Sequence, residues 1–190
     1  MKKIAIFASG NGSNAQNIAD YFDGNPLIKI QLILTNNPNA FVLERAKNLK
    51  IAYDVFNRDD FYKSDVVMQK LEEQEIDFVV LAGFLWLIPE NLIQKYPNKI
   101  LNIHPALLPK YGGKGMYGSK VHEAVHAAAD DESGITIHYV NKEYDEGMII
   151  FQARTKIDKT DTPDLIAEKI HALEYEYFPQ IIERCILSEI

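Results

Sequence analysis

The run Phe78-Val79-Val80-Leu81-Ala82 is apolar at every position. A strand with one face in water alternates apolar and polar residues, so an unbroken run marks a strand covered on both sides. That requirement demands helices above and below a sheet. The rest of the chain supplies them. Ile4–Ala8, Ile28–Leu34, Ala52–Phe56 and Ile100–His104 also read as strands, and between them lie helical patterns at Ala15–Phe22, Ala40–Lys50, Ser64–Gln74 and Pro89–Tyr96. Strand and helix alternating in this way predict a mostly parallel sheet with helices on both faces. Asn39 and Ser64 are expected to cap their helices, with Asn57-Arg58-Asp59-Asp60 as a polar loop between them. Beyond His104 the pattern changes. Lys120–Ala129 is helical, then Ser133–Val140 and Met148–Lys156 flank a turn at 141–147 and read as an antiparallel hairpin. Thr162 caps a last long helix, Pro163 and Asp164 suit its first turn, and Pro179 is expected to break or kink it after Phe178 before it continues to about Cys185. The expected fold class is α/β, Rossmann-like, with this C-terminal hairpin and helix added. With no repeat and no linker, residues 1–190 read as one domain.

Charge and composition exclude several functions. The formal charge is -7 and the pI about 5.2, whereas a nucleic-acid surface needs clustered Lys and Arg. The single Cys185 excludes an internal disulfide and a cysteine metal cage. No apolar segment reaches membrane-spanning length, and the run after Met1 is too short for a signal peptide, so a cytoplasmic protein is expected. His122 and His126 stand at i, i+4, but no third ligand lies nearby, and no metal is expected.

Two stretches carry chemistry. Ser9-Gly10-Asn11-Gly12-Ser13-Asn14 joins the first strand to the first helix, a turn that aims backbone N–H groups and a helix N-terminus at an anion. Its spelling Gly10-x-Gly12-x-x-Ala15 also fits a dinucleotide fingerprint, but the second strand ends Thr35-Asn36-Asn37-Pro38 with no carboxylate for a ribose. A phosphate on a small sugar is favoured. In Leu101-Asn102-Ile103-His104-Pro105, strand alternation points Asn102 and His104 to one face. A carboxamide N–H can bond an oxygen gaining negative charge, and an imidazole can move a proton near neutral pH. Together they are half of an acyl-transfer site. After the strand 78–82, Gly83-Phe84-Leu85-Trp86-Leu87-Ile88 lines the carboxyl edge of the sheet. There Phe84 and Trp86 can either meet a flat aromatic ligand or cover the core. The loop 110–118, with four glycines and two lysines, reads as a lid or as a long connection.

These motifs, with Leu81-Ala82-Gly83-Phe84, the continuation Ala106-Leu107-Leu108-Pro109-Lys110-Tyr111, and Tyr144-Asp145-Glu146-Gly147 downstream, resemble the glycinamide ribonucleotide formyltransferases, and the resemblance covers nearly the whole chain. It implies transfer of a formyl group from 10-formyltetrahydrofolate, the co-substrate, to the amine of a phosphoribosylglycinamide in purine synthesis. Asn102, His104 and Asp145 correspond to the catalytic set. Gly12, Ser13, Asn14 and Glu174 correspond to the ribotide site. Leu85, Trp86, Leu87, Ile88, Asn102, Asn141 and Asp145 correspond to the formyl-folate site. Asp145 is expected to favour the charged form of His104 and raise its pKa. The implied partners are small molecules, with no nucleic acid and no membrane, and the protein a monomer or homodimer. The runner-up is a formyl-folate hydrolase or a formyltransferase acting on another amine; those relatives usually add a second domain, for which this chain leaves no room. Two departures stand out. Trp86 replaces an Arg common among relatives, and the glycine-rich run 112–118 replaces a Pro-Gly loop. An arginine that meets the folate tail in some relatives is missing in register, with Lys63 as a weak substitute.

Overall fold

The structure, a computed structural model, describes residues 1–188. Its strands are β1 (Lys2–Phe7), β2 (Ile28–Thr35), β3 (Ala52–Val55), β4 (Phe78–Leu81), β5 (Ile100–His104), β6 (Glu132–Tyr139) and β7 (Ile149–Lys156). Its helices are α1 (Ser13–Tyr21), α2 (Val42–Leu49), α3 (Arg58–Tyr62), α4 (Val66–Glu73), α5 (Glu90–Lys95), α6 (Ser119–Ala127) and α7 (Pro163–Leu187). The seven strands form one sheet in the order β3-β2-β1-β4-β5-β6-β7. The first five in that order are parallel, and β6 and β7 are added antiparallel. This is the expected α/β architecture.

Strand alternation divides the core in two. Ile4, Ile6, Phe78, Val80, Leu101 and Ile103 face a cluster closed by α1, α2 and α7. Ala5, Phe7, Val79, Leu81 and Ile100 face a second cluster closed by α4, α5 and the aromatic residues Phe56, Phe61 and Phe84. Every residue of β4 is buried, which is why its sequence shows no polar alternation.

The helix ends depart from the sequence reading. Asn39 does not cap α2; the N-cap is Phe41, and the Asn39 N–H donates instead to Asn37 Oδ1. Ser64 does not cap α4 either, because its hydroxyl donates back to the Asp60 carbonyl. The stretch read as a polar loop begins α3, where Asn57 Oδ1 accepts from the N–H groups of Asp59 and Asp60 while Asp60 accepts from the Asn57 N–H. That reciprocal cap stabilises even one short turn of helix. Thr162 does cap α7 through Leu165 N. Pro179 lies inside α7 without ending it. Proline cannot donate to the carbonyl four residues before it, and that carbonyl, on Tyr175, accepts from Asn17 Nδ2 of α1. The freed acceptor thus becomes a contact between helices.

The strand order reverses between β1 and β4, the place where open α/β sheets bind ligands at their carboxyl edge. The chains leaving the two strands are tied together there. Ser9 N donates to the Gly83 carbonyl at 3.1 Å, and Leu85 N donates to Ser9 Oγ at 3.0 Å.

Candidate active site

A cleft of about 840 Å³ opens at this edge. One wall is the turn Ser9–Asn14, another is the end of β5 at Asn102 and His104, and the loop 113–118 and α7 complete it. The turn is built for close approach. Gly12 is left-handed (φ +74°), and a Cβ there would collide with the Val42 side chain. It occupies the N-cap of α1 with no side-chain cap, so the first-turn N–H groups remain open to an anion. Neither the Ser13 nor the Asn14 side chain caps the helix. Asn14 Nδ2 instead donates to Glu174 Oε2 of α7 at 2.9 Å, 160 residues away in sequence. His171 Nδ1 bonds the same oxygen at 2.9 Å.

At the other end of the cleft, Asn102, His104 and Asp145 come together. His104 is 3% exposed. Its Nε2 lies 2.7 Å from the Tyr111 carbonyl, which can only accept, so Nε2 carries the proton. Nδ1 faces Asp145 Oδ2 at 3.5 Å. Asp145 is held from three sides. Gly113 N donates to Oδ2 at 2.9 Å, Asn102 Nδ2 approaches Oδ1 at 3.5 Å, and His138 Nε2 stands 3.6 Å from Oδ1. His138 has its own fixed tautomer: Nδ1 donates to the Tyr139 carbonyl at 2.9 Å, and Nε2 accepts from Asn102 Nδ2 at 3.0 Å. That bond orients the Asn102 carboxamide with its NH₂ toward the cluster.

The electrostatics of His104 differ from the sequence expectation. Burial pushes its pKa down, and this outweighs the upward pull of Asp145 and of the Tyr111 hydrogen bond. The net direction is downward, so the ring rests neutral with Nδ1 open. Asp145 is also pulled in two directions. Burial raises its pKa, but the neighbouring His138 and His104 imidazoles and the Gly113 N–H together hold it below the usual carboxylate value. Asp145 is therefore ionised beside a neutral imidazole.

Other site residues expected from the sequence are dispersed. Leu85 lines the cleft and is 43% exposed. Trp86 packs instead among Phe56, Phe61, Tyr62 and Phe84. The Leu87 carbonyl accepts from Tyr62 Oη, and Ile88 is buried in the core. Asn141 lies outside the cleft lining, where its Oδ1 accepts from Glu143 N. Lys63 pairs with Asp59 on the exposed side of α3. His122 and His126 diverge: the first lines the cleft and the second bonds the Asp161 carbonyl. Among the described residues no group of three or more His, Cys, Asp or Glu is arranged to hold a metal ion. No described helix is long and apolar enough to cross a membrane.

The sequence reading missed His138 and His171. The first had a usable signal. In an antiparallel pairing with β5, alternation on β6 sets His138 directly opposite Asn102, as the register shows.

Fold and cleft define an α/β protein with an uncapped glycine turn at one end and an amide–imidazole–carboxylate cluster at the other. Residues 2–182 match the formyl transferase family, and the chain belongs to it. It is 40% identical over 187 residues to the chloroplastic phosphoribosylglycinamide formyltransferase of Arabidopsis thaliana, covering 95% of this chain and 64% of that one. It is 37% identical over 191 residues to the phosphoribosylglycinamide formyltransferase of Bacillus subtilis, covering 98% and 95%. The crystal structure of the Streptococcus pneumoniae phosphoribosylglycinamide formyltransferase superposes with a TM-score of 0.86 at 35% identity, covering 98% of this chain and 99% of that one.

Proposed function

We propose that this protein transfers the formyl group of 10-formyltetrahydrofolate to the amine of 5′-phosphoribosylglycinamide, giving formylglycinamide ribonucleotide and tetrahydrofolate. The observation that carries the reading is the meeting of Asn102, His104 and Asp145 in one cleft with the Gly12 turn. The ribotide phosphate sits on the open N–H groups of Gly12, Ser13 and Asn14, and Glu174 meets the sugar. The folate enters past Leu85. The backbone of 86–88 meets the pterin, with the Trp86 and Ile88 side chains packed into the core, and Asn141 and Asp145 belong to the loop on its other edge.

The neutral amine of the ribotide attacks the formyl carbon and a tetrahedral oxyanion forms. Asn102 Nδ2 donates to that oxygen, exchanging its long 3.5 Å approach to Asp145 for the stronger charge-assisted bond. His104 Nδ1 takes the proton released by the amine, because Nε2 is committed to the Tyr111 carbonyl. Asp145 stabilises the resulting imidazolium. The intermediate then collapses, the bond from the formyl carbon to folate N10 breaks, and His104 returns its proton to N10. His138 fixes the Asn102 carboxamide from behind.

In this reading the protein works on small molecules in the cytoplasm, as a monomer or homodimer. Mixing it with both substrates and following the folate absorbance tests the proposal. A change that requires the ribotide is expected. Folate turnover without ribotide indicates a hydrolase and contradicts the assignment.

A further inference from the structure

Two acceptors compete for the proton of the His104 ring. Nε2 faces the Tyr111 carbonyl at 2.7 Å, and Nδ1 faces Asp145 Oδ2 at 3.5 Å. A neutral imidazole carries one N–H, so only one acceptor can receive it. A proton on Nδ1 would satisfy the carboxylate but leave no lone pair there to take a proton from the amine. A carbonyl is a weaker acceptor than a carboxylate, so Tyr111 keeps the proton on Nε2 only by standing close. We infer that Asp130, outside the cleft, is a positioning residue for His104: by holding the Tyr111 hydroxyl it fixes the Tyr111 carbonyl against Nε2 and keeps Nδ1 open as the base. The inference rests on the reading of His104 as the base given above.

Tyr111 needs such a hold. Its φ is +55°, a left-handed backbone that a bulky residue seldom adopts. Relaxation of that backbone turns the adjoining peptide plane and moves the carbonyl with it. The side chain opposes this. Its Oη donates to Asp130 Oδ2 at 2.9 Å, and its ring packs against the core cluster closed by α1, α2 and α7. Lys110 Nζ pairs with the same carboxylate at 3.2 Å. Asp130 follows α6 and stands 19 residues beyond Tyr111. The contact therefore ties together the two ends of the segment that contains the loop 113–118 and α6. Gly113, two residues after Tyr111, donates to Asp145 Oδ2 at 2.9 Å. Both neighbours of the His104 ring thus depend on one anchored stretch.

Asp130 does not touch the reaction space. It lines a separate cavity of about 190 Å³ that Tyr111 also lines, whereas neither residue lines the cleft. Arg154 borders the same cavity and is engaged by Glu132. The Tyr111 hydroxyl, with Lys110, outweighs burial and holds the Asp130 carboxyl below its ordinary pKa. It is therefore an ionised acceptor at neutral pH, and its bond to the hydroxyl is charge-assisted. Asp130 acts on the chemistry through Tyr111.

Two-bond ¹H–¹⁵N NMR of the imidazoles in the whole protein, without substrates and at a pH where His104 is neutral, reads the tautomer directly. The His104 signals are assigned by their loss in His104→Gln. In the parent the proton should sit on Nε2. Tyr111→Phe keeps the ring and removes the hydroxyl, and Asp130→Ala removes the acceptor; both should move population to the Nδ1–H form. Both should lower kcat by roughly ten- to a hundredfold with KM for each substrate unchanged. The double variant should lose no more than either single one, because the two residues act through one bond. Asp130→Asn retains an oxygen for the hydroxyl and should restore both tautomer and kcat. A proton still on Nε2 in Tyr111→Phe, a rise in KM in place of a fall in kcat, or no recovery with Asn would overturn the inference. If the parent makes formylglycinamide ribonucleotide and the tautomer does not move, only the Asp130 assignment falls. If the parent makes none, the proposed activity falls, and the tautomers still decide whether Asp130 holds Tyr111 against His104.

Discussion

At His104, burial and charge oppose each other, and burial wins. The side chain therefore waits as a base rather than as an acid. The pH profile of turnover should show its acidic limb below the ordinary imidazole value of 6.5, the direction set by that burial. A limb above pH 7 would contradict the assignment. Stability follows the same sign. His104 and His122 have lowered folded pKa values, so the unfolded chain binds protons more readily below 6.5 and stability is lost as the pH falls from there. Denaturant melts between pH 7 and 5 should show that loss, and His122→Gln should reduce it. Removing an oxyanion donor typically costs about 10²–10³ in turnover. Asn102→Ala and His104→Ala should each lose at least that while keeping the native circular dichroism spectrum; near-normal turnover in either variant would refute its role. Asn102 and His104 were legible from the sequence because a strand fixes which neighbours share a face. The pKa direction was not, because adjacency to Asp145 can be guessed while the depth of burial cannot.

Among the elements, the parallel strands were the most legible, since covered strands leave continuous apolar runs such as Phe78–Leu81. Helix starts were less so. Asn39, Ser64 and Asn57 are all good caps by type, but only Asn57 caps, because only there does a partner, Asp60, return the bond. Thr162→Ala should cost about 1 kcal/mol in chemical denaturation by loss of the α7 cap, with turnover unchanged. Gly147 marks the element most sensitive to shape. A Cβ there would run into the Tyr139 carbonyl, which accepts the His138 Nδ1 bond. Gly147→Ala should therefore destabilise the fold by about 1–3 kcal/mol through overpacking and also lower turnover, whereas an unchanged melt would show that the hairpin end gives way freely.

Across the whole molecule, reversal of strand order between β1 and β4 creates the cleft, and the antiparallel β6–β7 pair carries Asp145 back across it. The hairpin could be read from alternation and turn residues. His138 could be reached only once β6 is paired antiparallel with β5, and the placement of His171 could not be read at all, because it depends on α7 reaching 160 residues back to α1. The central claim is that this cleft moves a one-carbon unit between two bound molecules. The most direct measurement supplies 10-formyltetrahydrofolate labelled with ¹³C in its formyl carbon together with phosphoribosylglycinamide, and follows the label by NMR. The label should appear as an amide formyl on the glycinamide nitrogen, at a rate that collapses in His104→Ala. Label released as free formate, or left on the folate while the ribotide is bound, would contradict the account.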